Sequence, residues 1–382
     1  MTLIAIPNEI KPTDKRTAMT PDNAAKLVRS GAEVLIEAGL GTGCGFTDDE
    51  YLEVGARVTD QHETIFREAD IVLRVQKPQT DEIEQLKKGA IHISYLDPFH
   101  EQSLVKALND RQITAISMEM IPRSTRAQKM DALSSQASLA GYVMVIQAAN
   151  LLNRILPMMM TPSGTIKPAR VFVIGAGVAG LQAIATAKRL GARVTAFDTR
   201  SVVAEQVKSL GANFLEIDLG ETGQTSDGYA QQLTKEQLTR QKQGQKDEIA
   251  ISDIVITTAQ VFGRKPPLLV TRDMIQGMSS GSVIVDMAAE SGGNVEGSVP
   301  GEVIEVDGVT IIGSGNWSGQ VSRDASNMYS NNLLNLIHEY WDAEQKSFVL
   351  DLNDDILSGC VITHAGQIVN ETIRKHYAEP DT

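Results

Sequence analysis

The sequence predicts an α/β protein of two doubly wound domains linked by long helices. Three observations predict it. Short apolar runs alternate with helical patterns from Leu3 to Glu119, and such alternation implies parallel sheets covered on both faces. The alternation restarts at Ala169 and continues to Gly313. The length of 382 residues suits two domains at ~100–200 residues each.

The elements follow in chain order. Leu3–Pro7 (LIAIP) forms a first strand. Pro21 opens a helix through Val28 and Gly31 ends it, since Pro suits a first turn and Gly a position just past the last. Ala32–Ala38 is a second strand, and Thr47–Glu50 resembles a capping box before another helix. Ala69–Val75, Ala90–Leu96 and Ile113–Glu119 are further strands with helices between them. Ser134–Ile155 reads as one long helix. Met158–Met160 follow, in a stretch punctuated by Pro and Gly, and are expected to fill an interdomain core. The second unit has strands at Ala169–Gly175, Ala192–Asp198, Ile251–Ala259, Ser282–Ala288 and Val309–Gly313. Residues 219–248 are polar and break the pattern. They form either a mobile flap, partly helical, or a solvated insertion, and composition favours the insertion. A helical pattern runs from Asp324 to Trp341, and the tail then has short strand-like runs. Too small for a domain, the tail is expected to pack back on the first one. The resulting division is residues 1–135 completed by 321–382, and residues 136–320.

Composition excludes several functions. A net charge of −13 and aromatics at 4% argue against nucleic acid and against an anionic membrane surface. Cys44 and Cys360 stand far apart, which gives neither a disulfide framework nor a zinc pattern, and points to a reducing compartment. The N-terminus lacks a secretory pattern. The uncharged run Ala132–Asn153 contains too many polar residues to sit in lipid without partners. No direct membrane insertion is expected. The histidines are scattered without metal-ligand spacing, so no metal is expected. The acidic pairs Asp48–Asp49 and Asp354–Asp355 are simplest as solvated surface.

The most informative passage is VFVIGAGVAGLQAIATAKRLGARVTAFDTR. Gly175, Gly177 and Gly180 give G-x-G-x-x-G after a strand and at the start of a helix. The first glycine permits the tight turn, the second lets backbone approach a pyrophosphate, and the third lets helix and strand pack closely. The helix N-terminus then offers free N–H groups and a positive dipole end to phosphate. Asp198 ends the next strand, where a carboxylate bonds the adenosine ribose and repels a 2′-phosphate. Arg200 complicates the choice, because a cation there can accept that phosphate. The balance favours NAD(H), and both domains are expected to be Rossmann-like.

Pro122–Tyr142, the segment MMMTPSGTIKPA with the glycine turn, Asp227–Ala230, DIVITTA and GSVIVDMAAESGGN together resemble the NAD(H)-binding component of proton-translocating nicotinamide nucleotide transhydrogenases. The resemblance covers nearly the whole chain. Alanine dehydrogenases share the fold and several motifs. The resemblance implies NAD(H) on this chain and NADP(H) on a partner component. It also implies a membrane-spanning subunit that couples transfer to proton movement, and a homodimer. The location implied is cytoplasmic, peripheral on the inner face of the cell membrane. The resemblance places Arg123, Gln128 and Asp131 beside the nicotinamide, where Arg123 can donate to the carboxamide, Asp131 can hold the guanidinium and Gln128 can bond a ribose hydroxyl. Read without it, Arg123–Asp131 is equally a surface ion pair. By the same resemblance the cofactor-binding set also takes in Lys129, Met130, Ser134, Val178, Thr199, Gly228, Tyr229, Gln241, Thr258, Ala259 and Gln260. Gly228 and Tyr229 match a loop that closes on nucleotide. Gln260 departs from the leucine expected after TTA.

The two activities make different demands. Alanine dehydrogenation needs an acid/base group near the reacting carbon, and that family supplies a Lys and a His. The matching positions here hold Gln76 and Asp97, and Lys77 is one residue off, facing the other way in an alternating strand. Arg16 matches a carboxylate-holding residue, and a structural salt bridge is the favoured reading for it. Hydride transfer between two nicotinamide rings moves no proton at the reacting carbons; it requires only near-attack geometry. A transhydrogenase component is therefore the leading reading, an amino-acid dehydrogenase the second, and a non-enzymatic NAD sensor the third.

Overall fold

Leu3, Ile4, Ala5 and Ile6 are all buried, as befits a strand inside a parallel sheet covered on both faces. The computed structural model describes residues 2–11, 13–217, 234–260 and 263–378. By the density of contacts the chain divides into two units, Met1–Gln136 with Gly319–Thr382, and Ala137–Ser318.

The first unit is built from β1 (Leu3–Ile6), α1 (Pro21–Arg29), β2 (Glu33–Glu37), α2 (Asp48–Glu53), β3 (Arg57–Thr59), α3 (His62–Glu68), β4 (Ile71–Leu73), α4 (Thr80–Gln85), β5 (Ile91–Ser94), α5 (Gln102–Asp110) and β6 (Thr114–Ser117). Thr47 closes the capping box with Glu50. β3 has only three residues and a mostly polar run, too little alternation to read from sequence. The long helix α6 is Ala132–Leu151, two residues earlier at its start and four shorter at its end than its apolar pattern implies.

In the second unit, β7 (Met159–Thr161) and β8 (Gly164–Ile166) form a two-stranded hairpin. Its residues are exposed on both faces. The expected burial of Met158–Met160 is therefore wrong: Met160 is 73% exposed, because a two-stranded ribbon has no second layer to cover it. Next come β9 (Arg170–Ile174), α7 (Val178–Arg189), β10 (Arg193–Phe197), α8 (Ala204–Ser209), β11 (Asn213–Phe214), α9 (Lys235–Ala250), β12 (Ile254–Thr257), α10 (Arg272–Gln276), β13 (Val283–Asp286), β14 (Val303–Val306) and β15 (Val309–Ile312). The sheet order is β11-β10-β9-β12-β13-β15-β14, parallel except for β14 against β15. The order reverses between β9 and β12, and right-handed crossovers there put α7 and α9 on opposite faces. Part of the polar stretch 219–248 is thus helix α9; residues 218–233 lie outside the described residues.

The chain then returns to the first unit through α11 (Ser322–Glu339), β16 (Trp341–Asp342), β17 (Ser347–Phe348), α12 (Asp355–Cys360), β18 (Val361–His364), β19 (Gln367–Ile368) and α13 (Glu371–Ala378). Trp341 leaves the helix and pairs with Phe348 in a short hairpin. β18 lies antiparallel beside β6, completing the order β19-β18-β6-β5-β4-β1-β2-β3. Both sheets are of the mostly parallel, helix-covered kind that the alternation predicts.

Candidate functional site

In the second unit, Gly175 has φ +103°, a backbone state that favours glycine. A Cβ on Gly180 would sit 1.9 Å from the Gly175 carbonyl oxygen, so the third glycine lets α7 close onto β9. A Cβ on Gly177 would meet nothing within 4 Å. The turn is thus tight on the protein side and open at Gly177, the geometry a pyrophosphate requires at a helix N-terminus. Val178, the first residue of α7, is 43% exposed and offers an apolar contact beside that opening. A nicotinamide dinucleotide fits this chemistry.

Asp198 lies at the end of β10, and Oδ2 accepts the Ala176 N–H at 2.8 Å. Its Oδ1 accepts Arg200 N–H at 2.9 Å and Arg200 Nε at 3.0 Å, and Arg200 Nη2 closes the pair at 2.9 Å from Oδ2. Asp198 thereby ties the glycine turn to the end of the next strand and neutralises Arg200. Thr199 stands between them. At the end of β12, Thr258 Oγ1 donates to the Gly175 carbonyl at 3.1 Å. The Ala259 carbonyl accepts Asn294 Nδ2 at 3.0 Å. Gln260 is exposed and donates to the Met287 carbonyl at 3.4 Å. The carboxyl ends of β9, β10 and β12 therefore gather Gly175–Val178, Asp198–Arg200 and Thr258–Gln260 at the reversal of strand order, where ligands bind in such sheets. Gln241 lies on α9 and is buried. Gly228 and Tyr229 lie outside the described residues.

In the first unit, Arg123 and Gln128 are exposed, and Gln128–Met130 form a single 3₁₀ turn before α6. Asp131 stands at the head of α6. Its Oδ1 accepts the Ser134 N–H at 2.9 Å and its Oδ2 accepts the Ser134 hydroxyl at 2.6 Å, an N-cap for α6. The Ser134 hydroxyl spends its proton on Asp131 and keeps its lone pairs, so it can meet a ribose hydroxyl as an acceptor. Met130 is fully buried in the apolar core of this unit, so only its backbone remains for a ligand. Lys129 pairs with Glu339 at 2.7 Å, and its carbonyl accepts Asn332 and Asn335 of α11. The turn is thus pinned by α11, with Gln128 left projecting.

The carboxyl ends of β1, β4 and β5 hold a buried polar cluster. Arg16 is bidentate to Asp14, at 2.9 and 2.7 Å, and donates to Gln136 Oε1 at 3.0 Å. Burial works against the Asp14 carboxylate, but Arg16 outweighs it and holds the carboxyl below its usual range. Gln76 donates to Asp14 at 3.2 Å and accepts the Lys11 N–H at 3.2 Å. Glu9 accepts the Val75 and Gln76 N–H groups at 2.7 and 2.9 Å, and burial, partly offset by Arg74, raises its pKa to about 7. Arg74 is fully buried and donates to Glu82 at 2.6 Å. Lys77 turns outward to Glu101. Asp97, with φ +51°, accepts from His100 Nδ1 at 2.8 Å when that nitrogen carries the proton. The pair Asp354–Asp355 is not simple solvated surface: Asp354 caps α12, and both carboxylates pair with Arg126.

Sequence reasoning missed the Glu9–Arg74–Glu82 group, whose members stand in separate motifs.

The two halves of the chain match two family descriptions. Residues 5–140 match the N-terminal domain of alanine dehydrogenase/PNT, and residues 144–371 its C-terminal domain. The first of the parts that make up the NAD(P) transhydrogenase alpha subunit of Rhodospirillum rubrum is 43% identical over 97% of this chain and 98% of its own. A solved structure described as transhydrogenase from Sinorhizobium meliloti superposes with a TM-score of 0.86 at 41% identity, covering 96% of this chain and 99% of that one. The alanine dehydrogenase of Halomonas elongata is 30% identical, over 98% of this chain and 96% of its own. With both halves matched and these identities extending over nearly its full length, the chain belongs to the alanine dehydrogenase/PNT family.

Proposed function

We propose that the chain is the NAD(H)-binding component of a proton-translocating transhydrogenase. It positions NADH so that hydride passes directly to NADP⁺ held by a partner component. The observation that carries this reading is Gln76. It stands where the dehydrogenases of the family need an ionisable proton carrier, yet it is a neutral amide engaged with Asp14 and Lys11. Asp97, at the second such position, is engaged with His100. The Gln76 amide has no ionisable proton to shuttle, and hydride exchange between two nicotinamide rings asks for no proton carrier. The greater identity to transhydrogenase subunits than to alanine dehydrogenases supports the same choice.

When bound, NADH supplies the hydride from C4 of its ring. Gly175–Gly180 seat the pyrophosphate, and the α7 N-terminus faces it. Asp198 meets the adenosine ribose while cancelling the charge of Arg200, so a 2′-phosphate finds no free cation there. Arg123 and Gln128 orient the nicotinamide end, with Asp131 holding the turn through the α6 cap. The reading extends to a homodimer that works with an NADP(H)-binding and a membrane-spanning subunit and is held by them at the inner face of the cell membrane. No helix among the described residues is long and apolar enough to cross a membrane. The test mixes the purified chain with an NADP(H)-binding transhydrogenase component and follows hydride exchange. Exchange is expected; NAD⁺ reduction driven by L-alanine, without exchange, would overturn the assignment.

A further inference from the structure

Arg123 and Gln128 sit on one turn but are tied to different elements. Past Gln128, α11 holds the backbone, because Asn332 and Asn335 donate to the Lys129 carbonyl at 3.0 and 3.1 Å. Before it, α12 lies against the start of the turn, where a Cβ on Gly359 would meet the Pro122 ring at 3.3 Å. Ala127 is buried just ahead of Gln128, yet a methyl group fixes depth and not direction. The spacing of Arg123 and Gln128 therefore follows whatever joins α11 to α12.

One carboxylate joins them. Tyr340, the C-cap residue of α11, donates its hydroxyl to Asp354 Oδ1 at 2.6 Å. The same oxygen accepts the Ile356 N–H at 2.9 Å, as the N-cap of α12. Asp354 Oδ2 accepts Nη2 of Arg126, which reaches it from the turn. That nitrogen also bonds Asp355 Oδ1 at 2.7 Å and lies 3.2 Å from the Tyr340 hydroxyl. Glu339 closes the set. Its Oε1 stands 3.9 Å from Arg126 Nε and its Oε2 2.7 Å from Lys129 Nζ, so the two cations that flank Gln128 share one carboxylate.

Strength is not what this set supplies. The Arg126 side chain is 44% exposed, and ion pairs at such exposure contribute little to stability, because water screens them and holding long side chains costs entropy. What it supplies is direction, since a planar guanidinium held from several sides has one orientation. Two residues before Gln128, that orientation fixes the backbone on which Gln128 is carried. We infer that Arg126 is a positioning residue of the site: anchored on Asp354 and Tyr340, it fixes Gln128 relative to Arg123 and so sets the geometry in which hydride leaves NADH. This inference rests on the transhydrogenase reading.

The experiment uses the full chain reconstituted with an NADP(H)-binding transhydrogenase component. Arg126→Gln and Asp354→Asn are compared with the unsubstituted chain for single-turnover hydride transfer, for NADH affinity of the free chain and for melting temperature. Asp354→Asn separates the roles, since Asn caps a helix as well as Asp but no longer draws the guanidinium. Both variants are expected to slow transfer about tenfold, less than the order of 100-fold that a full ångström costs. NADH affinity is expected to stay within about twofold, because the glycine turn carries it. The Asp354→Asn chain is expected to melt within about 2 °C of the parent. In a Gln128→Asn background, Arg126→Gln is expected to add little, since the group it positions is already withdrawn. Full-rate transfer by both variants would overturn the inference, and so would a lower melting temperature with transfer unchanged, which marks a merely structural pair. A tenfold loss that recurs undiminished beside Gln128→Asn would also overturn it, because Arg126 then acts on another group. If the unsubstituted chain exchanges no hydride with the partner, the functional reading itself falls, and this inference with it.

Discussion

Gln128 is exposed on a turn that α11 pins through Lys129. Its side chain can therefore be altered without disturbing the turn. Gln128→Asn withdraws the amide by about 1.5 Å, one C–C bond. NADH binding to the isolated chain is expected to change little, because it depends on the glycine turn and Asp198. Single-turnover transfer to partner-bound NADP⁺ is expected to slow on the order of 100-fold, the cost of misplacing reacting atoms by about an ångström. An unchanged transfer rate would remove Gln128 from the site. Asp198→Ala acts differently, since it also releases Arg200 from its ion pair. NADH affinity is expected to fall about 10–100-fold, the range for hydrogen bonds to a charged group, while NADPH affinity rises. Calorimetric titration with both nucleotides checks the two signs. Only the first half of this was legible in the sequence. The strand-end position of Asp198 is local information, but its chelation of Arg200 depends on the backbone between them.

At the level of the strand–turn–helix, the three glycines separate folding from binding. Gly180→Ala places a methyl 1.9 Å from the Gly175 carbonyl oxygen, so the variant is expected to lose several °C in melting temperature and its NADH binding together. Gly177→Ala points its methyl into open space. Its stability is expected to match the parent, while NADH affinity falls at least tenfold because the methyl occupies pyrophosphate space. A Gly177→Ala protein that binds NADH normally would show that the opening is not the phosphate site. This motif was readable because strand, turn and helix are contiguous. The hairpin β7–β8 was not, since Met158–Met160 have an apolar composition and yet are exposed; composition reports affinity for a core, not whether a second layer is present. β3 was missed because three residues carry no measurable period. Asp354 was misread because its partner Arg126 stands far away in sequence.

Across the whole molecule, two buried groups of the first unit set opposing pH dependences. Burial lowers the pKa of His92 to about 3, so the folded state binds fewer protons than the unfolded chain between about pH 3 and 6.5, and stability rises with pH there. Burial raises Glu9 to about 7, so the folded state binds more protons between about pH 4.5 and 7, and stability falls with pH there. The two slopes oppose each other over their shared range. Glu9→Gln removes one of them. Its unfolding free energy is expected to rise more steeply from pH 5 to pH 7 than that of the parent, measured by urea melts at both values; parallel pH profiles would count against the buried Glu9. The division of the chain has a consequence of a different kind, for biosynthesis. The unit Ala137–Ser318 is continuous, whereas the other is made in two instalments. On the ribosome the middle of the chain can fold as soon as it emerges, while Thr114–Ser117 waits with one edge open for Val361–His364, the last long strand to be synthesised. During that interval the exposed edge is a template for pairing with other nascent chains. Truncation near Gly319 should make this interval permanent, so such a fragment is expected to aggregate through its first unit even though its second unit is whole.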